Sequence, residues 1–287
     1  MDLRTMTGRE DYYLGLPAWA YPGWKDSYFR DTPTRLASYA QVFNTVEGNT
    51  TFYRIPDAKS VERWREAVEG TGFRFCFKLP RDVTHERRPD MNALESFLDA
   101  IAPLGEHIGP LLVQFPATTG PADLEGIEPV LDTVAERHRF VIEVRHPAFF
   151  DDPERLEPAL ERHGAGRVML DSRPIFEGNR QHAEVVSALH EKPDVPVLDT
   201  VYNEMAFVRL ILHPDIVSNR PYIDEWAART ANWLGEGVST WMMIHCPNNQ
   251  HCPPLALDFH DSLRRIAGEP TIPKLNSWPV PQQQSLL

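Results

Sequence analysis

The sequence predicts one α/β domain folded as a (β/α)8 TIM-type barrel. Short apolar runs recur eight times along the chain, and stretches of helical spacing separate them. The runs are largely continuous rather than alternating, as in a parallel strand covered by helices on its outer side. The length of 287 residues is close to the roughly 250 typical of one such barrel. Eight repeats favour closure over an open doubly wound sheet.

The strands are expected at about 12–16, 42–47, 73–79, 111–115, 140–144, 168–170, 206–212 and 240–245. Between them, Pro33-Thr34 opens a helix carrying Leu36, Tyr39 and Ala40. Asp57-Ala58-Lys59-Ser60 precedes Val61, Trp64 and Val68, which share one helical face, and Gly70 and Gly72 close that helix. Asn92 precedes Leu94, Phe97, Leu98 and Ile101. Pro121, Pro153, Pro221 and Pro254 open the remaining helices, since proline is tolerated in a first helical turn. Residues 171–205 break the rhythm. They form a long polar stretch with a short helix expected around Gln181–His190, and a connection of that length is usually functional. The barrel domain is expected to span 1–269, with a Pro- and Gln-rich tail over 270–287.

Composition narrows the function classes. The net charge of −12 disfavours nucleic acid as a partner, because such affinity rests on neutralising phosphates. It also disfavours an anionic membrane surface. Three cysteines, Cys76, Cys246 and Cys252, make no disulfide framework and fit a reducing compartment. No secretory leader is recognisable, and no apolar run reaches the ~20 residues of a membrane span, so a cytoplasmic protein is expected. Phosphate-loop, G-x-G-x-x-G and G-x-S-x-G motifs are absent from the sequence.

A barrel builds its site where strands run out into the βα loops. Seven strands carry a polar residue there: Glu47 and Asn49, Lys78, Gln114, Glu143 and Arg145, Asp171, Arg209, and His245. Residues i and i+2 share a strand face, which pairs Glu47 with Asn49 and Glu143 with Arg145. If these faces point into the mouth, Glu47, Glu143 and Asp171 meet Lys78, Arg145 and Arg209. Charges after apolar runs are costly unless paired. A buried ion-pair network is seldom the least costly route to stability, so a ligand site is the stronger explanation.

The segment Glu47-Gly48-Asn49-Thr50-Thr51-Phe52-Tyr53 resembles the E-x-N-x-T-F-Y hallmark of the YecE-like family, domain of unknown function 72. Trp19-Ala20-Tyr21-Pro22-Gly23-Trp24 resembles its W-x-Y-x-x-W opening. Phe77-Lys78-Leu79-Pro80 with Thr84-His85, Gln114-Phe115-Pro116 and Glu143-Val144-Arg145-His146 are similar to its later segments, and Asp171 and Arg209 fall where it places an aspartate and an arginine. The loops after the first, seventh and eighth strands depart from the family pattern. The resemblance implies a (β/α)8-type barrel and no established activity.

Three chemistries fit these residues. In the first, an enzyme (a hydrolase or lyase) acts on a phosphorylated or otherwise anionic small molecule. Glu47, Glu143 and Asp171 are then catalytic, the two glutamates as general acid and base with pKa values pushed apart. Trp19, Tyr21, Asn49, Tyr53, Lys78, Gln114, Arg145 and Arg209 hold the substrate, arginine being the better bidentate partner for an anion. No cofactor is expected. In the second, a divalent metal sits on Glu47, His85, Glu143, His146 and Asp171, with His213 and His245 as further candidates, in a phosphoesterase-like hydrolase. Three cations in the same mouth oppose that arrangement. In the third, Trp19, Tyr21, Trp24, Phe52 and Tyr53 line a non-catalytic binding pocket. The pairs His245-Cys246 and His251-Cys252 offer zinc-type ligands at a spacing unlike a finger and are read as loop residues; Cys76 is read as core.

Overall fold

The computed structural model describes residues 12–25, 27–30, 34–268, 272–276 and 278. Eight parallel strands run in the order β3-β2-β1-β8-β7-β6-β5-β4. They are β1 (Tyr12–Leu16), β2 (Thr45–Gly48), β3 (Arg74–Phe77), β4 (Leu111–Gln114), β5 (Phe140–Glu143), β6 (Gly166–Asp171), β7 (Met205–Ile211) and β8 (Ser239–His245). The β3–β4 seam is bridged by Phe75↔Ile108 and Lys78↔Leu112, and Leu79 N–H donates to Leu112 O over 3.0 Å. These pairings bring the sheet back on itself, so the predicted eight-stranded barrel is the observed fold.

The helices are α1 (Arg35–Tyr39), α2 (Ala58–Val68), α3 (Arg81–Thr84), α4 (Met91–Ile101), α5 (Leu124–Ala135), α6 (Ala148–Asp151), α7 (Glu157–His163), α8 (Arg173–Glu177), α9 (Ala183–Val186), α10 (Ala188–Glu191), α11 (Arg220–Gly235) and α12 (Cys252–Ala267). Their starts follow local chemistry. Thr34, Asp57 and Asp90 each cap a helix by accepting from the backbone N–H three residues on. The cap of α4 is therefore Asp90, two residues before the expected Asn92. Pro33 lies outside the described residues. Val42 and Phe43 precede β2 in a turn rather than opening it, because their backbone N–H groups are taken up by the end of α1: Val42 N and Phe43 N both donate to Tyr39 O.

Residues 171–205 form three short helices, α8 to α10, where one was expected. Ile175, Val185 and Ala188 pack on Leu170 and Ile211 at the ends of β6 and β7. Ser172 Oγ donates to Pro193 O at 2.7 Å, which closes the segment on itself. The segment is thus a lid lying across one side of the barrel mouth. Ile272, Leu275 and Trp278, within the expected tail, pack against the core, and Trp278 meets the rings of Tyr28, Phe29 and Phe43.

Inside the barrel, Cys76, Leu112, Val141, Val168, Phe207, Trp241 and Met243 fill an apolar layer, and Tyr13 stacks on Trp241 at 3.7 Å. Gly15 of β1 pairs with Thr45 of β2. A Cβ there would stand 2.4 Å from the Thr45 carbonyl oxygen, a backbone atom that cannot rotate away. Gly15→Ala is expected to cost about 2 kcal/mol or more by forcing β1 and β2 apart. Chemical denaturation of the two proteins measures it, and an unchanged midpoint would show that the β1–β2 seam yields freely.

Candidate functional site

Strand alternation builds the site directly on the apolar layer. Two residues beyond Cys76, Leu112, Val141, Phe207 and Met243 come Lys78, Gln114, Glu143, Arg209 and His245, and two beyond Thr45 comes Glu47. These six side chains enter one polar layer at the mouth. Arg209 stands at its centre. Its Nε and Nη2 donate to Glu47 Oε2 and Oε1 at 2.8 and 2.9 Å, and its Nη1 donates to Glu143 Oε2. His245 Nε2 lies 3.2 Å from Glu47 Oε2, and Arg145 Nε donates to Glu143 Oε1 at 2.7 Å. Both carboxylates are thereby fully engaged by the protein's own cations.

The titration behaviour follows. Burial pushes Glu47 and Glu143 up, but Arg209 and the hydrogen bonds around it more than reverse this. Glu47 ends well below the usual carboxylate range, and Glu143 at about 2. The expectation of two glutamates with pKa values pushed apart therefore fails: a shared guanidinium draws both the same way. Burial, followed by the repulsion of Arg209, lowers Lys78 instead, to about 8. Burial and Lys78 lower His85 to about 4. The mouth's proton-transfer groups near neutral pH are accordingly a lysine and a neutral histidine. Burial lowers His245 too, which suits a neutral ring donating to Glu47.

The remaining sequence-predicted residues divide. Asn49 Nδ2 donates to Glu47 Oε1 at 2.8 Å and to Pro17 O at 3.1 Å, so it orients the carboxylate. Gln114 Nε2 donates to Phe115 O at 2.7 Å, which turns its Oε1 to accept from Lys78 Nζ. Lys78 Nζ also sits 3.8 Å over the Phe52 ring, and His85 meets that ring edge-on. Asp171 does not join the cluster. It is one residue out of phase with the inward-facing Val168 and Leu170, so its carboxylate turns outward to Arg173 and to Trp226 Nε1 at 2.7 Å. His146 Nδ1 accepts from Ala148 N and caps its own turn. His213 is tied to Asp215 N and Asn179 O.

The aromatic pocket is not assembled either. Trp24 is fully buried with its Nε1 on Asn249 O, Trp19 packs edge-on against Trp64 and Phe75, and Tyr53 is 82% exposed. Tyr21 OH donates to Asn248 Oδ1. Nor do the five contingent metal ligands gather. Among the described residues, the one group of three His, Cys, Asp or Glu ligand atoms close enough to share an ion is Glu128, Asp132 and His163, outside the barrel on α5 and α7. Cys76, Cys246 and Cys252 are all free and buried. His251 pairs instead with Glu184 of α9 at 3.1 Å, and Asn248 Nδ2 donates to the same carboxylate at 2.6 Å. That latch ties the lid to the loop after β8.

The lid also supplies a residue that sequence reasoning missed. Lys192, just after α10, lies near enough to Arg209, Glu47, Arg145 and Glu143 for their charges to act on it, and burial followed by Arg209 lowers its pKa. The sole sequence signal was its place in the long 171–205 segment. An open cleft of about 850 Å³ begins beside the cluster at His85 and continues past Pro116, Thr118 and Asp123.

The family described as "protein of unknown function DUF72" matches residues 13–280. UPF0759 protein YecE of Escherichia coli K12 is 35% identical over 281 residues, which is 96% of this chain and 99% of that protein. Among solved structures, a DUF72 family protein from Enterococcus faecalis superposes with a TM-score of 0.67 at 18% identity, covering 89% of this chain and 94% of that one. One from Thermotoga maritima gives 0.65 at 19% identity, covering 88% and 98%. Both share the barrel fold.

Arg209→Met would leave two buried carboxylates facing each other without their common cation. It is expected to cost about 3–5 kcal/mol in denaturant unfolding. Acid stability tests the same interaction. Because Glu143 falls to about 2 in the folded protein, from an unfolded value of about 4.3, its contribution is complete above the unfolded value. It is lost as pH drops from there toward 2. A pH series of melting temperatures should show that acid limb in the wild type and a flatter one in Arg145→Ala. Identical slopes would mean that Arg145 does not hold Glu143 ionised.

Proposed function

We propose, for a chain that belongs to the DUF72 family of proteins of unknown function, that the barrel mouth is the active site of a hydrolase or lyase acting on a phosphorylated or otherwise anionic small molecule. The observation that carries this reading is a surplus of cations. Arg209, Arg145, Lys78 and Lys192 face two carboxylates, and those carboxylates are spent on Arg209, Arg145 and His245. Arg145 is 22% exposed and uses only Nε, so both Nη groups have no hydrogen-bond partner among the described residues. Lys192 makes no side-chain hydrogen bond or ion pair there. Open guanidinium and ammonium groups at one barrel mouth are what a carboxylate or phosphate requires.

The roles follow from the chemistry of each group. Arg145 and Lys192 hold the anion. Glu47, Glu143 and Asn49 fix Arg209 and Arg145 in place rather than moving protons. Near neutral pH Lys78, at about 8, passes between ammonium and amine, and neutral His85 is the base beside it. Gln114 orients Lys78. Asp171 has no part in the reaction and anchors Arg173 at the start of the lid's α8. A metal-dependent phosphoesterase has less support, because the contingent ligands are separated and the mouth is cationic. The chain's acidity disfavours nucleic acid. No helix among the described residues is long and apolar enough to cross a membrane, and three free, buried thiols support a cytoplasmic location.

Differential scanning fluorimetry with inorganic phosphate, citrate and sugar phosphates tests the anion site. A ligand at a hundred times its Kd stabilises by about 2.7 kcal/mol, roughly 5 °C or more in Tm for a domain of this size. Arg145→Ala is expected to remove most of that shift. A wild type that none of these anions stabilises, or an Arg145→Ala protein that responds equally, would end this reading.

A further inference from the structure

We propose that Lys78 is an imine-forming amine, whose Nζ condenses with the carbonyl carbon of an aldehyde or ketone that also carries a carboxylate or phosphate group. This inference rests on the anion site above and names the substrate class and the reaction type within it, a lyase-type reaction through a covalent imine.

Four observations converge on Lys78. Its Nζ makes no ion pair within 4 Å among the described residues, although two carboxylates share the mouth, because Arg209 and Arg145 have taken both. Its one hydrogen bond runs to Gln114 Oε1, an acceptor whose orientation is fixed from behind by Phe115 O. A neutral amine can make that bond with one N–H and keep its lone pair free to attack. The Phe52 ring beneath Nζ, at 3.8 Å, strips water from one side. Arg209 from β7 and Arg145 from β5 repel its charged form, while Glu143 and Glu47 offer weaker relief. An amine desolvated beside other cations is the standard physical route to a nucleophilic lysine.

Residue usage supports the same conclusion. Lysine supplies five of the chain's 29 basic residues, namely Lys25, Lys59, Lys78, Lys192 and Lys274. Arginine supplies the other 24, Arg145 and Arg209 at the mouth among them, yet two of the five lysines stand there as well. A guanidinium cannot give up its proton in a protein, whereas an ammonium can. Lysine at Lys78 therefore meets a need for a titratable amine that arginine cannot meet.

The step balances as follows. The Nζ lone pair forms an N–C bond to the carbonyl carbon, and the C=O π pair moves to oxygen, which takes up a proton. The nitrogen gives up one proton, which leaves a neutral carbinolamine; its hydroxyl then takes up a second proton and departs as water while the nitrogen lone pair forms C=N⁺, so the protonated imine forms with a net uptake of one proton from solvent. Arg145 and Lys192 hold the substrate's anionic group during attack, and His85, which meets edge-on the Phe52 ring that Lys78 overlies, supplies a neutral base on that side. The imine's positive charge withdraws electrons from the adjacent carbon, which is what cleavage or isomerisation next to a carbonyl requires.

The test is reductive trapping on the full chain at neutral pH. The protein is incubated with pyruvate (carboxylate) or glyceraldehyde 3-phosphate (phosphate) and sodium cyanoborohydride. Adducts are then located by intact-mass and peptide mass spectrometry. At pH 7 the neutral fraction of an amine of pKa about 8 exceeds that of an ordinary lysine by about two orders of magnitude. Lys78 should therefore label at least about tenfold faster than the exposed Lys25, Lys59 and Lys274, and excess inorganic phosphate should slow it. Lys78→Met should lose the fast adduct and Lys192→Met should keep it on Lys78 at reduced rate. Equal labelling of all five lysines, or fast labelling on Lys192 instead, overturns the assignment in the wild type without recourse to any variant. Stabilisation by anions with no adduct on Lys78 overturns the imine and leaves the anion site standing. Neither stabilisation nor adduct overturns both.

Discussion

One guanidinium organises this barrel mouth. Arg209 reaches from β7 to β2 and β5 and is shared between Glu47 and Glu143. Burying these charges is costly, and such a network is often no more stable than an apolar layer of the same shape. Here it permits two carboxylates to remain ionised at the barrel mouth. It also consumes them. Every other cation at the mouth must then find its counter-charge elsewhere, and the open Nη groups of Arg145 and the unpaired Lys78 and Lys192 follow from that one arrangement.

The layer beneath makes the arrangement possible. Cys76, Leu112, Val141, Phe207, Trp241 and Met243 close the barrel interior to water. The polar layer therefore has a dry floor and a wet roof, and charges on such a boundary interact more strongly than in bulk water. The lid over residues 171–205 forms part of that roof. It holds its own apolar contacts through Ile175, Val185 and Ala188 and is fastened to the loop after β8 through Glu184, Asn248 and His251.

Most of the fold and much of the site were legible in the linear chain. The eight strand positions were readable because strands buried on both faces must be apolar throughout. Boundaries slipped where a turn is as apolar as a strand, as at Val42 and Phe43. The pairings of Glu47 with Asn49 and of Glu143 with Arg145 follow from alternation alone. Alternation also explains Asp171. Counted as a strand-end charge it belongs to the cluster, but counted by phase against Val168 and Leu170 it faces outward. The aromatic segment misled for a different reason: Trp19, Trp24 and Tyr53 are neighbours in sequence, yet one packs on α2, one is core and one faces solvent.

By itself the sequence determined the barrel, the end of it that carries the polar residues, and the identity of most of those residues. These depend on periodicity and composition, which are local properties. Only the tertiary structure decided which charges neutralise one another. Coulomb and desolvation energies depend on distances across the barrel, and Arg209 lies 162 positions from Glu47 and 66 from Glu143 along the chain. The same holds for Lys192, which no local pattern marks and which the fold of the lid alone brings to the mouth.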